Sequence, residues 1–176
     1  LYYREHGDHL GIGSYHHRPM PVDSRELGSS ENVTAQSMPS SMPFTEADFA
    51  DAWQRSTELI PTLGEAKVQH AFNGIFSFTP DGAPLVGEHR EVAGLWVAEA
   101  VWVTHSAGVA RSLAEWLVDG APSVDLREAE LHRFADAELA PEVVRARSIR
   151  SFVEVYDVLH PLDPPAAPRD LRVSPF

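Results

Sequence analysis

One unit of sequence limits the possible folds more than any other: residues 94–120, GLWVAEAVWVTHSAGVARSLAEWLVDG. A short apolar run at residues 95–98 is typical of a strand, and a polar break follows at residues 104–106. Apolar residues then recur at helical spacing until Gly120. The pattern predicts a strand, a tight turn and a helix that Ser106 caps. The buried face of that helix is predicted to comprise Val109, Ala110, Leu113, Ala114 and Leu117.

The start of this helix is a candidate binding site. Its first backbone N–H groups lack intrahelical partners, and the helix dipole places partial positive charge there. The small residues at 107–110 keep the first turn slim, so a flat group could lie against it. A phosphate or the pyrimidine edge of a flavin would suit such a surface. An ordinary packing helix remains the alternative interpretation of the pattern.

The remaining segments predict a mixture of strands and helices. Residues 1–17 predict a hairpin whose second strand, residues 10–17, contains Gly11 and Gly13. A glycine inside a strand often marks a close approach of another group to the backbone. A long loop is predicted at 18–44, followed by a helix at 45–60 that Thr45 caps. A strand is predicted at 66–79, and residues 75–79 are predicted to form a hairpin with 84–87 around the turn at 80–82. Two more helices are predicted at 124–131 and 141–156, and an extended Pro-rich tail at 159–176.

The composition excludes several classes of function. The 176 residues carry a net charge of -12, which repels phosphate backbones and anionic lipid, so neither nucleic acid nor a membrane is an expected partner. The chain has no Cys, which removes thiolate metal sites and cysteine nucleophiles. Together with the lack of a recognisable signal peptide, this leads us to expect a cytoplasmic protein.

Two adjacent histidines, His16 and His17, raise the question of a metal site. Neighbouring residues on a strand point to opposite faces, and no third ligand lies at a useful spacing. We therefore expect no bound metal. The chain also opens inside strand-like sequence, Leu1-Tyr2-Tyr3, which leads us to expect a piece of a longer polypeptide.

Two long stretches carry a family resemblance. FNGIFSFTPDGAPLVGE, residues 72–88, followed by residues 94–120, resembles the C-terminal half of the flavin domain of D-amino-acid-oxidase-type amine oxidoreductases. Within that group the chain is most similar to dimethylglycine oxidase and to dimethylglycine and sarcosine dehydrogenases. LYYREHGDHLGIGSYHHRPMPVD at the start and SFVEVYDVLHPLDPPAAPRDLRVSPF at the end fit the same family, so the resemblance spans nearly the whole chain.

The resemblance implies an α+β segment of an enzyme that is α/β overall. It implies antiparallel substrate-domain strands, a C-terminal flavin-facing helix and an extended connector. Residues 1–121 would form the C-terminal half of the FAD-dependent oxidoreductase domain, and residues 122–158 would start a central domain. Residues 159–176 would lead toward a folate-binding, aminomethyltransferase-like domain.

The implied cofactor is FAD, bound mostly and covalently by sequence upstream of this chain. No G-x-G-x-x-G motif follows a strand here, because Gly11-Ile12-Gly13 continues as Ser14-Tyr15-His16. Tetrahydrofolate would bind downstream. The segment alone is therefore expected to be inactive, with the remainder of the same polypeptide as its partner.

The implied activity is oxidative demethylation of a small N-methyl amino acid, from N,N-dimethylglycine to sarcosine, by hydride transfer to FAD. The one-carbon unit would pass to tetrahydrofolate or leave as formaldehyde. The family has an active-site tyrosine on the first strand, which maps to Tyr3 first and to Tyr2 second, since only one of them can face the flavin. The implied flavin contacts are Trp102, Val103, Thr104 and His105, and His16 is a candidate substrate-lining residue. The alternative is a non-catalytic docking segment between domains of a larger protein.

Overall fold

The computed structural model describes residues 1–34 and 39–157, and every strand and helix of the fold described lies within these two ranges. The strands are β1 (Tyr2–His6), β2 (His9–Gly13), β3 (Ser41–Met42), β4 (Asn73–Gly74), β5 (Leu85–Glu88) and β6 (Trp96–Glu99). The α-helices are α1 (Glu46–Leu59), α2 (Ser106–Asp119) and α3 (Pro141–Val153). The tail predicted for residues 159–176 lies outside the described residues.

The strands pair into antiparallel two-stranded sheets, β1 with β2, β3 with β4 and β5 with β6. Helices and small antiparallel sheets together give the α+β class that the sequence predicts, and this prediction is confirmed. In the part of the chain that the structure describes, no helix combines the length and the apolar character needed to cross a bilayer.

The N-terminal hairpin forms as predicted, but its second strand is shorter. Gly7 occupies the turn with a φ of 57°, and the paired residues run from Tyr2 opposite Gly13 to His6 opposite His9. The strand ends at Gly13 rather than at residue 17. The backbone N–H of His16 donates to Ser14 Oγ at 3.1 Å, and such local side-chain contacts compete with strand pairing.

Helix α1 lies close to its predicted bounds, but Thr45 does not cap it. The Thr45 side chain makes no capping hydrogen bond; its hydroxyl accepts from Asn73 Nδ2 and contacts Met20 Sδ instead. The buried residues of the helix are Ala52 and Ser56. Small side chains on this face let the N-terminal hairpin approach the helix closely.

Two strand predictions in the middle of the chain are wrong. Only β4 forms within residues 66–79, and the predicted hairpin of 75–79 with 84–87 does not form, although the turn between them does. Gly82 takes a φ of 76°, and its N–H donates to Thr79 O at 3.2 Å. Strand β5 pairs with β6 instead, which places Val86 opposite Ala98.

Val86 marks the centre of the core and is fully buried. Its N–H donates to Ala129 O at 2.7 Å, and its carbonyl accepts from the N–H of Leu131 at 2.9 Å. Strand β5 therefore has β6 on one side and a short parallel bridge at Glu130 on the other. The helix predicted for residues 124–131 is absent: a turn occupies residues 127–129, and Glu130 then forms the bridge to β5.

An arginine fixes this segment to the preceding turn. The Arg133 side chain is only 10% exposed, and all of its N–H donors have acceptors. These acceptors are both Asp81 carboxylate oxygens at 2.7 Å and the carbonyl oxygens of Ala83, Pro84 and Glu130 at 2.9 to 3.1 Å. We call Arg133 with these four residues the arginine clamp.

Helix α2 forms where the sequence predicts it and ends at Gly120, which takes a φ of 80°. Ser106 does not cap the helix, because a short 3-10 turn at Val103–His105 precedes it and Ser106 Oγ donates to Val103 O. Of the predicted buried face, Val109 is buried and Leu113 is half-buried. Ala110, Ala114 and Leu117 are exposed, and Ser112 is buried instead. Helix α3 confirms the pattern at residues 141–156 apart from its last three residues.

Candidate functional site

The turn before α2 stands at the surface of the described chain. Val103 is 90% exposed, and Thr104 and His105 are exposed beside it. Within residues 1–34 and 39–157, the backbone N–H groups of Val103 and Thr104 make no hydrogen bond, whereas that of His105 donates to Trp102 O at 2.9 Å. The turn therefore presents two free backbone donors to whatever lies outside it.

The two turns that carry and follow these donors are open and contain no acidic side chain. Neither the 3-10 turn nor the first turn of α2 contains an acidic residue. A Cβ added at Gly108 would meet nothing within 4 Å, so the helix start is flat and accessible. An electron-rich edge placed here would meet donors and the positive end of a helix dipole, and it would meet no opposing carboxylate.

Backbone strain lies just ahead of this turn. Ala100 has a φ of 54°, in the left-handed region that residues with a Cβ seldom occupy. It separates β6 from Trp102. Strain of this kind persists only where the surroundings hold it and is common near functional sites.

Trp102 connects the turn to a continuous set of aromatic rings. It stacks on Phe76 with ring centroids 5.9 Å apart and meets Phe78 edge-on at 5.6 Å. Tyr15 meets Phe76 at 5.3 Å, Tyr2 at 5.6 Å and Tyr156 at 5.8 Å, and Phe78 meets Phe152 of α3 at 5.5 Å. We call this set the aromatic cluster: Tyr2, Tyr15, Phe76, Phe78, Trp102, Phe152 and Tyr156.

Tyr2 belongs to this cluster because its cross-strand partner is a glycine. A Cβ added at Gly13 would lie 2.0 Å from Tyr2 Cζ and 2.2 Å from its hydroxyl oxygen. The Tyr2 ring thus lies directly over the Gly13 backbone, which is the close approach that the strand glycine indicated. Tyr2 is 51% exposed and Phe76 is 47% exposed, so one side of the cluster is open.

Tyr3 points to the opposite face of β1, toward α1. Its hydroxyl lies 3.1 Å from Oγ of Ser56, a fully buried residue. Ser56 has one hydroxyl proton, which it donates to Ala52 O at 2.7 Å. Tyr3 must therefore be the donor in its bond to Ser56, and its proton is engaged inside the fold.

His16 lies apart from the aromatic face around Trp102. It lines a cavity of about 310 Å³ between the hairpin and α1, together with Leu1, Ser14, Asp51, Ala52, Arg55 and Tyr156. Its neighbour His17 has Nδ1 2.8 Å from Arg18 O and a ring that packs against Phe152. Among the described residues no group of three His, Asp or Glu side chains is placed to hold a metal ion.

The structure thus brings Tyr2 and Trp102 into one cluster and leaves Tyr3 and His16 outside it. Sequence reasoning missed Tyr15, Phe76 and Phe78, which supply the rings in between. Phe76 and Phe78 alternate in FNGIFSF, and this spacing places both side chains on one face of an extended segment. The alternation was therefore the available signal.

Comparison with protein families identifies the group. A family described as FAD dependent oxidoreductase matches residues 1–116, which is more than half of the chain. The chain belongs to this family. A second family, the FAD dependent oxidoreductase central domain, matches residues 119–174. The domain boundaries at 121 and 158 stay predictions.

Individual relatives fall in the same group. The human mitochondrial sarcosine dehydrogenase is 27% identical over 180 residues, which is 100% of this chain and 19% of that protein. The mouse mitochondrial dimethylglycine dehydrogenase is 33% identical over 88 residues, 49% of this chain and 10% of that protein. The formaldehyde-forming 4-methylaminobutanoate oxidase of Paenarthrobacter nicotinovorans is 26% identical over 140 residues, 74% of this chain and 17% of that protein. The chain thus spans about a fifth of the length of the first of these relatives.

The residues of the turn fit a flavin of this oxidoreductase family. Val103 and Thr104 offer free N–H donors, Gly108 leaves space, and the ring of Trp102 stands beside them. The pyrimidine edge of a flavin accepts hydrogen bonds and becomes negative on reduction, which suits a donor-rich corner without acids. A pyrophosphate would need the glycine-rich motif that this chain lacks.

Proposed function

We propose that this chain forms the substrate-facing and cofactor-facing part of a flavin-dependent amine oxidoreductase that demethylates N-methyl amino acids, with N,N-dimethylglycine converted to sarcosine. Bound FAD would accept a hydride equivalent from the N-methyl carbon. Hydrolysis of the resulting substrate iminium yields sarcosine and formaldehyde. The one-carbon unit is released in that form or passed to tetrahydrofolate in a downstream part of the polypeptide.

The observation that carries this proposal is the open aromatic face beside the donor turn. Tyr2 and Phe76 are about half exposed, and Trp102 connects them to Val103 and Thr104. A methylated amine is apolar on its methyl side and cationic when protonated, and aromatic faces stabilise both properties. The names of the relatives, which include two dehydrogenases of N-methylated glycines, support the same substrate class.

Different residues of this chain would contact the substrate and the cofactor. The N–H groups of Val103 and Thr104 donate to the flavin edge, and His105 adds a polar side chain at the same turn. Tyr2 takes the active-site role in preference to Tyr3, because the Tyr3 proton is engaged by Ser56. The Tyr2 hydroxyl would donate to the substrate carboxylate or to its amine nitrogen.

The remaining parts of the proposal concern the whole protein. FAD would be held mostly, and covalently, by upstream sequence, as the family resemblance implies; the 176 residues themselves contain no G-x-G-x-x-G motif. Residues 122–158 begin the central domain, and the protein functions in the cytoplasm. The alternative role is a non-catalytic docking segment, for which the exposed apolar surface would serve as an interface.

A spectroscopic titration of the full-length protein tests the proposal. Under nitrogen, addition of N,N-dimethylglycine or sarcosine should bleach the visible flavin band, because no oxygen is present to reoxidise the cofactor. Glycine, which has no N-methyl group, should leave the band unchanged. A protein that binds flavin but bleaches with neither methylated substrate would contradict the proposal and support the docking role.

A further inference from the structure

Tyr15 stands between Tyr2 and the rest of the aromatic cluster. Its ring contacts Tyr2 at 5.6 Å with 30° between the ring planes, Phe76 at 5.3 Å and Tyr156 at 5.8 Å. It follows β2 two residues after Gly13, so the same short segment supplies both surfaces that contact the Tyr2 ring. Gly13 leaves the space that the ring occupies, and Tyr15 bounds it.

We propose that Tyr15 is a positioning residue for the amine-oxidising site: its ring holds the Tyr2 ring across Gly13 and so sets where the Tyr2 hydroxyl lies. The inference rests on the proposed function for the role of Tyr2. The positioning itself rests on the ring contacts alone.

The ionisation of the Tyr15 phenol agrees with its contact with Tyr2. Burial raises the pKa of the Tyr15 phenol, and Tyr2 and Tyr156 raise it further, Tyr2 also through side-chain hydrogen bonding. Hydrogen bonding that raises a phenol pKa stabilises the protonated form, which is the form that donates. The Tyr15 phenol beside Tyr2 therefore stays protonated to a higher pH than an exposed tyrosine.

Tyr3 shows the opposite arrangement on the same strand. Its proton goes to Ser56, whose own proton goes to Ala52 O. Ser56 engages the Tyr3 proton inside the fold, whereas Tyr15 contacts Tyr2 through its ring. The two neighbours of β1, Ser56 and Tyr15, thus assign different roles to two consecutive tyrosines.

The test places 3-fluorotyrosine at position 2 of the full-length protein and follows its ¹⁹F resonance. Tyr15→Leu, which removes the ring, should move the resonance toward the value of a solvated tyrosine. Tyr15→Phe, which restores the ring, should return it most of the way. Tyr3→Phe changes the other face of β1 and should leave the resonance in place.

Activity supplies a second, separable readout. Tyr15→Phe, which keeps the ring, should retain about tenfold more kcat/KM for N,N-dimethylglycine than Tyr15→Leu, because the positioning rests on the ring contact. Tyr15→Leu should lower kcat, because Tyr2 is then displaced. A protein that never bleaches with substrate would refute the proposed function, yet the fluorine result would still decide whether Tyr15 positions Tyr2.

Two outcomes would overturn the inference. One is an unchanged ¹⁹F resonance at position 2 in folded Tyr15→Leu protein. The other, which applies even if Tyr15→Leu fails to fold, is a Tyr15→Phe protein whose ¹⁹F resonance at position 2 lies at the value of a solvated tyrosine, because the ring would then not hold Tyr2.

Discussion

The aromatic cluster and the arginine clamp both join distant segments, but by opposite means. In the clamp every side-chain N–H of Arg133 donates to an acceptor, and the Arg133 side chain is 10% exposed. In the cluster the contacts are between rings, and Tyr2 and Phe76 remain about half exposed. A fully satisfied polar network stabilises one structure, whereas a ring surface with an open side can receive a ligand. We therefore assign stability to the clamp and function to the cluster.

The largest expected effect breaks the clamp. Arg133→Met leaves Asp81 and three carbonyl groups without their donor, and the local unfolding free energy should fall by about 3 kcal/mol. This value is at the lower end of the range for breaking a buried ion pair, because the Asp81 side chain is 39% exposed. Hydrogen exchange of the Val86 and Leu131 amides in the full-length protein would measure the loss.

Arg127→Met is the matched control for that experiment. Arg127 and Asp125 form an ion pair in which both side chains are exposed, 89% and 58%. Solvent screens such pairs, so exchange at Val86 and Leu131 should not change. Equal effects of the two substitutions would show that the clamp is no more important than an ordinary surface pair.

The next largest effect is expected when the Tyr2 ring is displaced while its hydroxyl is kept. In Gly13→Ala the new methyl would lie 2.0 Å from Tyr2 Cζ, so the ring must move away from β2. Misplacement of a positioned group by about 1 Å can cost about a hundredfold in rate, and we expect kcat/KM for N,N-dimethylglycine to fall by that order. Steady-state kinetics of the full-length enzyme would measure it.

Gly11→Ala is the control on the same strand. There the new methyl meets the His6 ring at 3.3 Å, which can shift, and the Arg4 carbonyl oxygen at 3.4 Å, which is close to ordinary contact. Activity should stay near that of the unaltered enzyme. If Gly13→Ala were as active as Gly11→Ala, the approach of Tyr2 to the backbone would have no functional meaning.

A smaller pair of effects separates the two faces of β1. Tyr2→Phe should lower kcat/KM about tenfold and leave stability unchanged, since its hydroxyl serves the ligand side. Tyr3→Phe should leave kcat/KM unchanged and lower the unfolding free energy by about 1 kcal/mol, because Ser56 Oγ loses its donor. Steady-state kinetics and thermal denaturation of both variants would show whether activity depends on Tyr2 alone and stability on Tyr3 alone. A loss of activity in Tyr3→Phe would restore the sequence-based choice of Tyr3.

The sequence predicted those parts of the fold that depend on local pattern. The turn at Gly82 and the helix end at Gly120 formed as predicted because their left-handed φ values follow from residue type. The sequence also predicted a strand at residues 66–79, yet no long partner strand lies beside it in the described chain. Strand formation depends on pairing with residues far away in sequence, and propensity alone does not supply it.

The candidate site was predictable in position more than in detail. The strand, turn and helix at residues 94–120 located the donor turn correctly. The choice between Tyr2 and Tyr3 depends on which face of β1 meets α1, and the buried Ser56 that decides it lies 53 residues away. The hydroxyl of Ser106, which suggested a cap, bonds to Val103 because a 3-10 turn brings that carbonyl within reach.

The smallest expected effects are opposite pH dependences of the two regions. Burial acts to raise the pKa of Asp81, but hydrogen bonds from Arg133, Ala83 and Thr79 outweigh it, and its pKa lies below the ordinary value. The clamp therefore contributes fully above about pH 4, the ordinary value for Asp, and weakens as pH falls through the lower pKa of the folded state.

The pKa of Tyr15 is raised, first by burial, so the cluster contributes fully below about pH 10 and weakens as pH rises through the pKa of folded Tyr15. Melting temperatures at acid and alkaline pH should depend less on pH in Asp81→Asn and in Tyr15→Phe, respectively, than in the unaltered protein. If each variant kept the full pH dependence of the unaltered protein in its own range, neither group would link protonation to folding, and the contrast between a polar clamp and an aromatic site would rest on geometry alone.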